Sequence, residues 1–280
     1  MNRLLICTDL DRTLIPNGSQ PESADAMEKF RRLVEHPEVI LVYVTGRHME
    51  LVEQAIMQYN LPRPDYVIAD VGSSIYELDD SGWHYLGEWE EYIRPDWGGK
   101  EAGELLSLIQ DISGLTLQEP SKQGRHKLSF YLDLDVDIEP LLTELSDRYG
   151  QQGIRSNLVW SIDESAGTGL LDILPASAGK CRAIEFLMSL LDILPGQVVF
   201  AGDSGNDLEV LCSHIPAVLV ANATDELRAQ ASEMAKSKGQ EDKLYLARGG
   251  FHGMNGNYSA GILEGVVHYV PSVETWIEEE

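Results

Sequence analysis

Short runs of apolar residues recur along the chain, and each run ends abruptly at polar residues. A continuous apolar run of this length is typical of a strand that is buried on both faces of a parallel sheet. Segments with apolar residues at helical spacing lie between the runs, as in residues 178–191. The strand candidates are residues 4–8, 39–44, 66–69, 198–201 and 217–220. This alternation predicts an α/β fold built on a parallel sheet with right-handed crossovers.

The alternation is interrupted between residues 80 and 170. There, signals for hairpins and paired strands are mixed with helical segments, which is typical of an inserted α+β unit. A chain of 280 residues is long enough for one large or two moderate domains. We therefore predict a core formed by residues 1–79 and 171–280, and an inserted domain formed by residues 80–170.

Acidic residues directly follow two of the predicted strands. Asp9 and Asp11 end the first strand, and Asp203 and Asp207 follow the strand at 198–201. A buried strand cannot continue through unpaired charges, so these acids should lie at the strand ends. The carboxyl ends of parallel strands share one edge of the sheet, where ligands bind. A hard divalent cation relieves the repulsion between converging carboxylates, and we expect an Mg²⁺ site at this edge.

Composition narrows the classes of partner. Lys and Arg total 21 and Asp and Glu total 46, which gives a formal charge of −25. Such a surface repels nucleic acid and anionic lipid. The three cysteines form no C-x-x-C pair, which indicates a reducing compartment, and no run of 18 apolar residues is present. We expect a soluble, cytoplasmic protein that binds a small molecule, with no nucleic acid or membrane partner.

Four motifs in order along the chain resemble those of the haloacid dehalogenase (HAD) superfamily. The first is the apolar strand followed by D-x-D-x-T at residues 9–13, and the second is T-G-R at residues 45–47. The third is Lys180 at a predicted helix start, and the fourth is the complete G-D-x-x-N-D at residues 202–207. Each also has a purely structural interpretation: a strand-to-helix turn at 45–47, a solvated lysine at 180, or a helix N-cap at 206 or 207. Together they indicate a Rossmann-like HAD core.

The resemblance implies an Mg²⁺-dependent phosphatase that works through an aspartyl-phosphate. Asp9 would be the nucleophile, and Asp11 the acid and base, which favours a phosphatase over a dehalogenase. The implied metal-binding residues are Asp9, Asp203, Asp11 through its backbone carbonyl, and Asp207 through a ligand or metal-bound water. The implied phosphate-binding residues are Thr45, Gly46, Arg47, Lys180 and Asn206.

The insertion lies between the second and third motifs, where a C2-type cap sits in this superfamily. Pieces such as D-V-G-S-S-I-Y at 70–76, K-L-S-F-Y-L-D at 127–133 and L-D-I-L-P at 171–175 resemble sucrose-phosphate phosphatases of cyanobacteria and plants. That resemblance implies hydrolysis of sucrose 6-phosphate to sucrose and phosphate, as a step of sucrose biosynthesis. The residues it places against the sugar are Gly72, Ser73, Lys127 and Asp172.

Several alternatives stay open at this stage. Lys127 also fits a solvated basic cluster, and Asp172 fits a turn at a strand end. The loop at 243–258 is longer than expected for the cyanobacterial kind, so mannosylfructose-phosphate and glucosylglycerol-phosphate are alternative substrates. A HAD phosphomutase and a non-enzymatic phosphate-responsive receiver are alternative functions. Association with a sugar-phosphate synthase is a further open possibility.

Overall fold

The structure, a computed structural model, describes residues 3–163 and 166–278. Its strands are β1 Leu4–Thr8, β2 Val39–Val44, β3 Tyr66–Ala69, β4 Ser74–Asp79, β5 Gly82–Tyr85, β6 Thr116–Leu117, β7 Leu128–Leu132, β8 Ser156–Asp163, β9 Thr168–Pro175, β10 Val198–Gly202, β11 Ala217–Leu219 and β12 Leu244–Leu246. Its α-helices are α1 Ala26–Val34, α2 Met49–Gln58, α3 Gly87–Ile93, α4 Ala102–Ser107, α5 Ile138–Gln151, α6 Lys180–Leu191, α7 Leu208–Leu211, α8 Asp225–Ser237, α9 Ser259–Tyr269 and α10 Glu274–Ile277. Within the described ranges, no helix has the length and apolarity needed to cross a membrane.

A large sheet of eight strands forms the centre of the fold, in the order β12-β11-β10-β1-β2-β3-β4-β5. The strands from β12 to β3 run parallel, and β1 lies between β10 and β2. Successive residues of β1 face opposite ways, so Leu5 and Cys7 join one apolar core while Leu4 and Ile6 join another. The sheet is therefore buried on both faces, as its continuous apolar strands require. The predicted parallel α/β fold is confirmed.

The large sheet is wider than the five predicted strands. The hairpin of β4 and β5 extends one edge with antiparallel pairing, starting from the pair Ala69↔Ser74. At the other edge β12 pairs with β11 through Ala217↔Leu244 and lies in a region predicted to be a loop. Three half-buried residues are too few to give a strand signal in the sequence, and β12 forms because β11 offers a free edge.

A small antiparallel sheet, in the order β6-β7-β9-β8, is formed within the predicted insertion. One face of it packs on α4 and α5 around a separate core that includes Trp97, Leu105 and Leu145. β5 belongs to the large sheet and β9 to the small one. Sheet membership thus favours limits of the insertion about five residues later than 80 and 170. The division into two domains itself stays a prediction.

Candidate active site

Three buried carboxylates meet where β1 and β10 end. Asp9 follows β1 and donates its backbone N–H to Ala201 of β10 at 2.9 Å, which sets it beside Asp203. One carboxylate oxygen from each of Asp9, Asp203 and Asp207 lies within 4.8 Å of the others. All three residues are at most 5% exposed. Neighbouring parallel strands therefore bring together acids that are nearly 200 positions apart in sequence.

The electrostatics of this cluster favour a bound cation. Burial, with the Asp207 charge added, raises the pKa of Asp203 to about 7, although Arg12 and Thr13 act in the opposite direction. Burial likewise raises the pKa of Asp9 well above its ordinary value, against the effect of Lys180. Three carboxylates that supply only oxygen donors are the ligand type that Mg²⁺ and other hard cations take. The residues present therefore fit a divalent metal ion.

Lys180 lies in the middle of the acidic cluster. It is the first residue of α6, and its Nζ donates to Asp207 at 2.6 Å and to Asn206 at 2.8 Å. The same Nζ lies 3.3 Å from Asp9 Oδ1. Burial opposes a charge on Lys180, but Asp207 and Asp9 outweigh it and raise the pKa of the ammonium group. A lysine that is 2% exposed and paired in this way is not a solvated surface residue.

The loop after β10 uses Asp207 for two purposes. Its Oδ2 accepts hydrogen bonds from the backbone N–H groups of Asp203 and Ser204, both at 3.1 Å. Its Oδ1 holds Lys180. Asp207 is thus the third residue of a capping box in which Ser204, and not residue 206 or 207, is the N-cap. Its predicted role in a metal site stays a prediction. Gly202 is required here, because a Cβ at that position would lie 2.5 Å from Asp207 Oδ2.

Asp11 is held on the other side of the site by Arg47 and Asn17. Arg47 donates Nε to one carboxylate oxygen at 2.7 Å and Nη2 to the other at 2.6 Å, while Asn17 Nδ2 donates at 2.7 Å. Burial acts to raise the pKa of Asp11, but these hydrogen bonds and the Arg47 charge lower it overall. Arg47 contacts Asp11 here, and its predicted contact with phosphate stays a prediction.

The second motif supplies buried polar groups between Asp9 and the small sheet. Thr45 is 1% exposed, and its Oγ1 accepts the Arg47 backbone N–H at 3.2 Å. The carbonyl of Gly46 accepts from Lys127 Nζ at 3.4 Å. Lys127 also pairs with Asp70, at the end of β3, over 3.1 Å. Thr45 and Gly46 thus lie in the site, and Lys127 joins the small sheet to the large one.

A cavity of about 630 Å³ opens between the two sheets and ends at Asp9 and Asp203. Asp172 lines it from the small sheet; burial raises the pKa of this carboxyl, while Lys127 and a hydrogen bond from Ser129 oppose the rise. The residues that line the cavity from the small-sheet side include Gln118, Lys122, Lys127, Ser129, Ser161, Ile162, Asp163, Leu170 and Asp172. Most of these side chains carry a hydrogen-bonding group, so this side of the cavity is polar.

Gly72 and Ser73 are closely surrounded by other parts of the chain. The two residues are not among those that line the cavity. A Cβ at Gly72 would lie 2.2 Å from the Gly179 carbonyl carbon, and Ser73 is 2% exposed with its hydroxyl donated to the Asp70 carbonyl. Gly72 thus packs against the residue that precedes α6, and Ser73 is bonded to the backbone at the end of β3. Their predicted sugar contact stays a prediction. Lys127 and Asp172, by contrast, do face the cavity.

Sequence reasoning assigned no role to several residues that the structure places at the site. Arg12 lines the cavity with its Nε 3.4 Å from Asp203 Oδ2, and Asn17 orients Asp11. Arg12 has a left-handed φ of 58°, and Asp70 and Val71 have φ of 52° and 58°. No sequence pattern predicts such values for residues other than glycine. A polar side chain at the end of β3 was the one available signal for Asp70.

The fold and the site together define a phosphatase of the HAD class that acts on phosphate monoesters. The sequence pattern of the family "Sucrose-6F-phosphate phosphohydrolase" matches residues 2–270. The chain belongs to this sucrose-6F-phosphate phosphohydrolase family.

Three known proteins illustrate the relationship. A HAD-like hydrolase of Nitrosococcus oceani is 49% identical over 276 residues, which cover 99% of this chain and 74% of that protein. Sucrose-phosphatase 1 of Nicotiana tabacum is 32% identical over 246 residues, which cover 84% of this chain and 54% of that protein, so the chain spans about half of its length. The sucrose-phosphatase of Synechocystis, solved with sucrose and phosphate, superposes with a TM-score of 0.77 at 26% identity, covering 96% of this chain and 99% of that one.

Proposed function

We propose that this chain hydrolyses a sugar phosphate, with sucrose 6-phosphate as the preferred substrate, to the free sugar and phosphate. One observation carries the proposal: the Asp9 carboxylate lies beside Lys180, Asp203 and Asp207, and Asp9 and Asp203 line a cavity whose small-sheet side is polar. The family and the Synechocystis relative, which was solved with sucrose and phosphate, support sucrose as the leaving group.

Asp9 is the proposed nucleophile. Its carboxylate oxygen attacks phosphorus in line, the bond from phosphorus to the sugar oxygen breaks, and an aspartyl-phosphate forms. A phosphate dianion repels a carboxylate, so attack requires positive charge beside both groups. Lys180 supplies one such charge, 3.3 Å from Asp9. Thr45, Gly46 and Asn206 line the cavity and are the proposed ligands of the phosphate oxygens.

Asp11 is the proposed acid and base. It protonates the departing sugar oxygen and then removes a proton from the water that hydrolyses the aspartyl-phosphate. Arg47 and Asn17 hold its carboxylate in the ionised form, which suits the second step. In the first step the Asp11 carboxyl must carry a proton to the leaving oxygen. We propose that the pair with Arg47 opens when substrate binds, so that the carboxylate can take up this proton from water.

The proposed metal ion is Mg²⁺. Asp9, Asp203 and the Asp11 backbone carbonyl would hold it, and Asp207 would orient its ligands. When bound, it supplies further positive charge that offsets the repulsion between nucleophile and phosphate. Thr13 Oγ1 donates to Asp203 Oδ1 at 3.0 Å and helps to hold that carboxylate in place.

The small sheet is the proposed cap that selects the sugar. The cavity between the two sheets has a volume of about 630 Å³, which lies within the range of small-molecule sites, about 300–1,000 Å³. Sugar hydroxyls both donate and accept hydrogen bonds, and the side chains of Lys127, Ser129 and Asp172 offer both kinds of partner. We further propose a cytoplasmic enzyme, and association with a sugar-phosphate synthase is a possible extension of its role.

The test is Mg²⁺-dependent phosphate release from a substrate panel. The panel contains sucrose 6-phosphate, mannosylfructose phosphate, glucosylglycerol phosphate, trehalose 6-phosphate and glucose 6-phosphate. The proposal predicts the highest kcat/KM for sucrose 6-phosphate. Preference for another member would replace sucrose as the substrate, transfer to a second sugar without phosphate release would indicate a mutase, and no turnover of any ester would end the proposal.

A further inference from the structure

The segment that leads into α6 is held by residues at the start of β8. The Ala176 N–H donates to the Arg155 carbonyl at 3.1 Å. Two residues further on, Asn157 Nδ2 donates to the Ala178 carbonyl at 2.8 Å. Asn157 belongs to β8 of the small sheet, whereas α6 packs in the core of the large sheet. The small sheet thus holds the backbone two residues before Lys180 through the hydrogen bond from Asn157.

The backbone at Gly179 passes close to its neighbours on two sides. Its φ of 140° lies outside the range that other residues adopt readily, and a Cβ there would lie 3.0 Å from Asn157 Nδ2 and 3.2 Å from Glu209 Oε2. On another side, Gly72 lies so close that a Cβ on it would reach the Gly179 carbonyl carbon at 2.2 Å. The chain is therefore enclosed between Asn157 and Gly72 immediately before Lys180.

The buried residue Asp96 joins the segment before α6 to the segment before β8. Asp96 lies in the turn after α3 and is 1% exposed. Its Oδ2 accepts the Ser177 backbone N–H at 2.5 Å, and its carbonyl accepts the Arg155 N–H at 2.8 Å. Residues 176, 177 and 178 are thus each bonded to the small sheet or to the chain that leads into it.

We propose that Asn157 is a positioning residue for Lys180, an inference that rests on the proposed role of that lysine. Its hydrogen bond fixes the Ala178 carbonyl, and through Gly179 it sets where α6 begins and where the Lys180 ammonium lies. Asn157 is part of the proposed cap. The contacts of Lys180 with Asp9 and Asp207 therefore depend on the position that the small sheet has in this structure. Asn157 itself is not among the residues that line the cavity.

The test compares Asn157→Ala and Asn157→Asp with the wild-type protein. Asn157→Asp keeps the shape but replaces the donor by an acceptor, and Ser156→Ala on the same strand is the matched control. Each is assayed with p-nitrophenyl phosphate, which is too small to reach the sugar-binding end, and with sucrose 6-phosphate. Loss of one net hydrogen bond predicts a fall in kcat of about fivefold for both substrates in both Asn157 variants. The dissociation constant of orthophosphate, measured by calorimetry with Mg²⁺ present, should rise by a similar factor.

Two outcomes overturn the inference. An increase in KM confined to sucrose 6-phosphate would make Asn157 a sugar contact, and kcat values equal to those of Ser156→Ala would remove any positioning role. If Asn157→Ala fails to fold, Asn157→Asp decides, because its side chain fills the same space. If the wild-type protein hydrolyses no ester, the proposed function fails, and the orthophosphate constants still decide whether Asn157 orders the phosphate site.

Discussion

Gly72→Ala is the substitution whose effect the structure defines most sharply. A Cβ at Gly72 would lie 2.2 Å from the Gly179 carbonyl carbon, 2.5 Å from its oxygen and 2.6 Å from the Lys180 nitrogen. These are backbone atoms, which cannot rotate away as a side chain can. Because ordinary contact begins near 3.4 Å, the start of α6 must move by about 1.2 Å relative to Gly72.

A displacement of this size acts directly on Lys180, which is the first residue of α6. Misplacing a catalytic group by about 1 Å costs on the order of 100-fold in rate. We therefore expect kcat for p-nitrophenyl phosphate to fall about 100-fold in Gly72→Ala. Overpacking and a left-handed alanine should together lower the free energy of unfolding by about 2–4 kcal/mol, measured by urea denaturation.

Gly82→Ala provides the matched control. Gly82 also has a positive φ, 121°, but a Cβ there would meet nothing within 4 Å. It should lose about 1–2 kcal/mol of stability from strain alone and keep its activity. If Gly72→Ala turns over p-nitrophenyl phosphate as fast as Gly82→Ala, and loses only affinity for the sugar phosphate, the packing argument is wrong and Gly72 contacts the sugar.

Two further predictions concern the acidic cluster. Asp9→Asn should abolish phosphate release while the protein stays folded, since Lys180 keeps Asp207 as a partner; residual activity above about a few per cent would exclude Asp9 as the nucleophile. In metal-free protein, burial raises the pKa of Asp203 to about 7, whereas in the unfolded chain this carboxyl loses its proton near pH 4. The free energy of unfolding should therefore fall by about 2–4 kcal/mol as the pH rises from about 4 to about 7. Thermal unfolding in a chelator tests this, and added Mg²⁺ should stabilise the protein more at pH 8 than at pH 5; equal stabilisation would contradict it.

Much of the fold could be predicted because its signals are local. The apolar strands β1, β2, β3, β10 and β11 stand out as continuous runs, and their order dictates a parallel sheet. What escaped prediction depends on neighbours. β12 has three half-buried residues and exists by pairing with β11, and α3 lies in an aromatic, acidic stretch that gave no clear period.

The site shows the same division. Asp9, Asp203 and Lys180 were predicted to meet because each follows a strand or starts a helix at one edge of the sheet, and the structure places them together. The surroundings of Gly72 could not be predicted, because a glycine has no side chain that would indicate its neighbours. Only the folded chain shows that Gly179 occupies the space beside it.

The sequence by itself determined five parallel strands of the large sheet, the order of the four motifs and the acids that end two of those strands, since each depends on residues close together in the chain. The tertiary structure alone decided that Arg47 binds Asp11, that Lys127 pairs with Asp70, and that Asn157 holds the approach to Lys180. These contacts join residues that are 21 to 57 positions apart in the sequence. Arg47 meets Asp11 because β1 and β2 are neighbours in the large sheet, whereas the contacts of Lys127 and Asn157 depend on how the small sheet packs over the large one. No local pattern of residues encodes that packing.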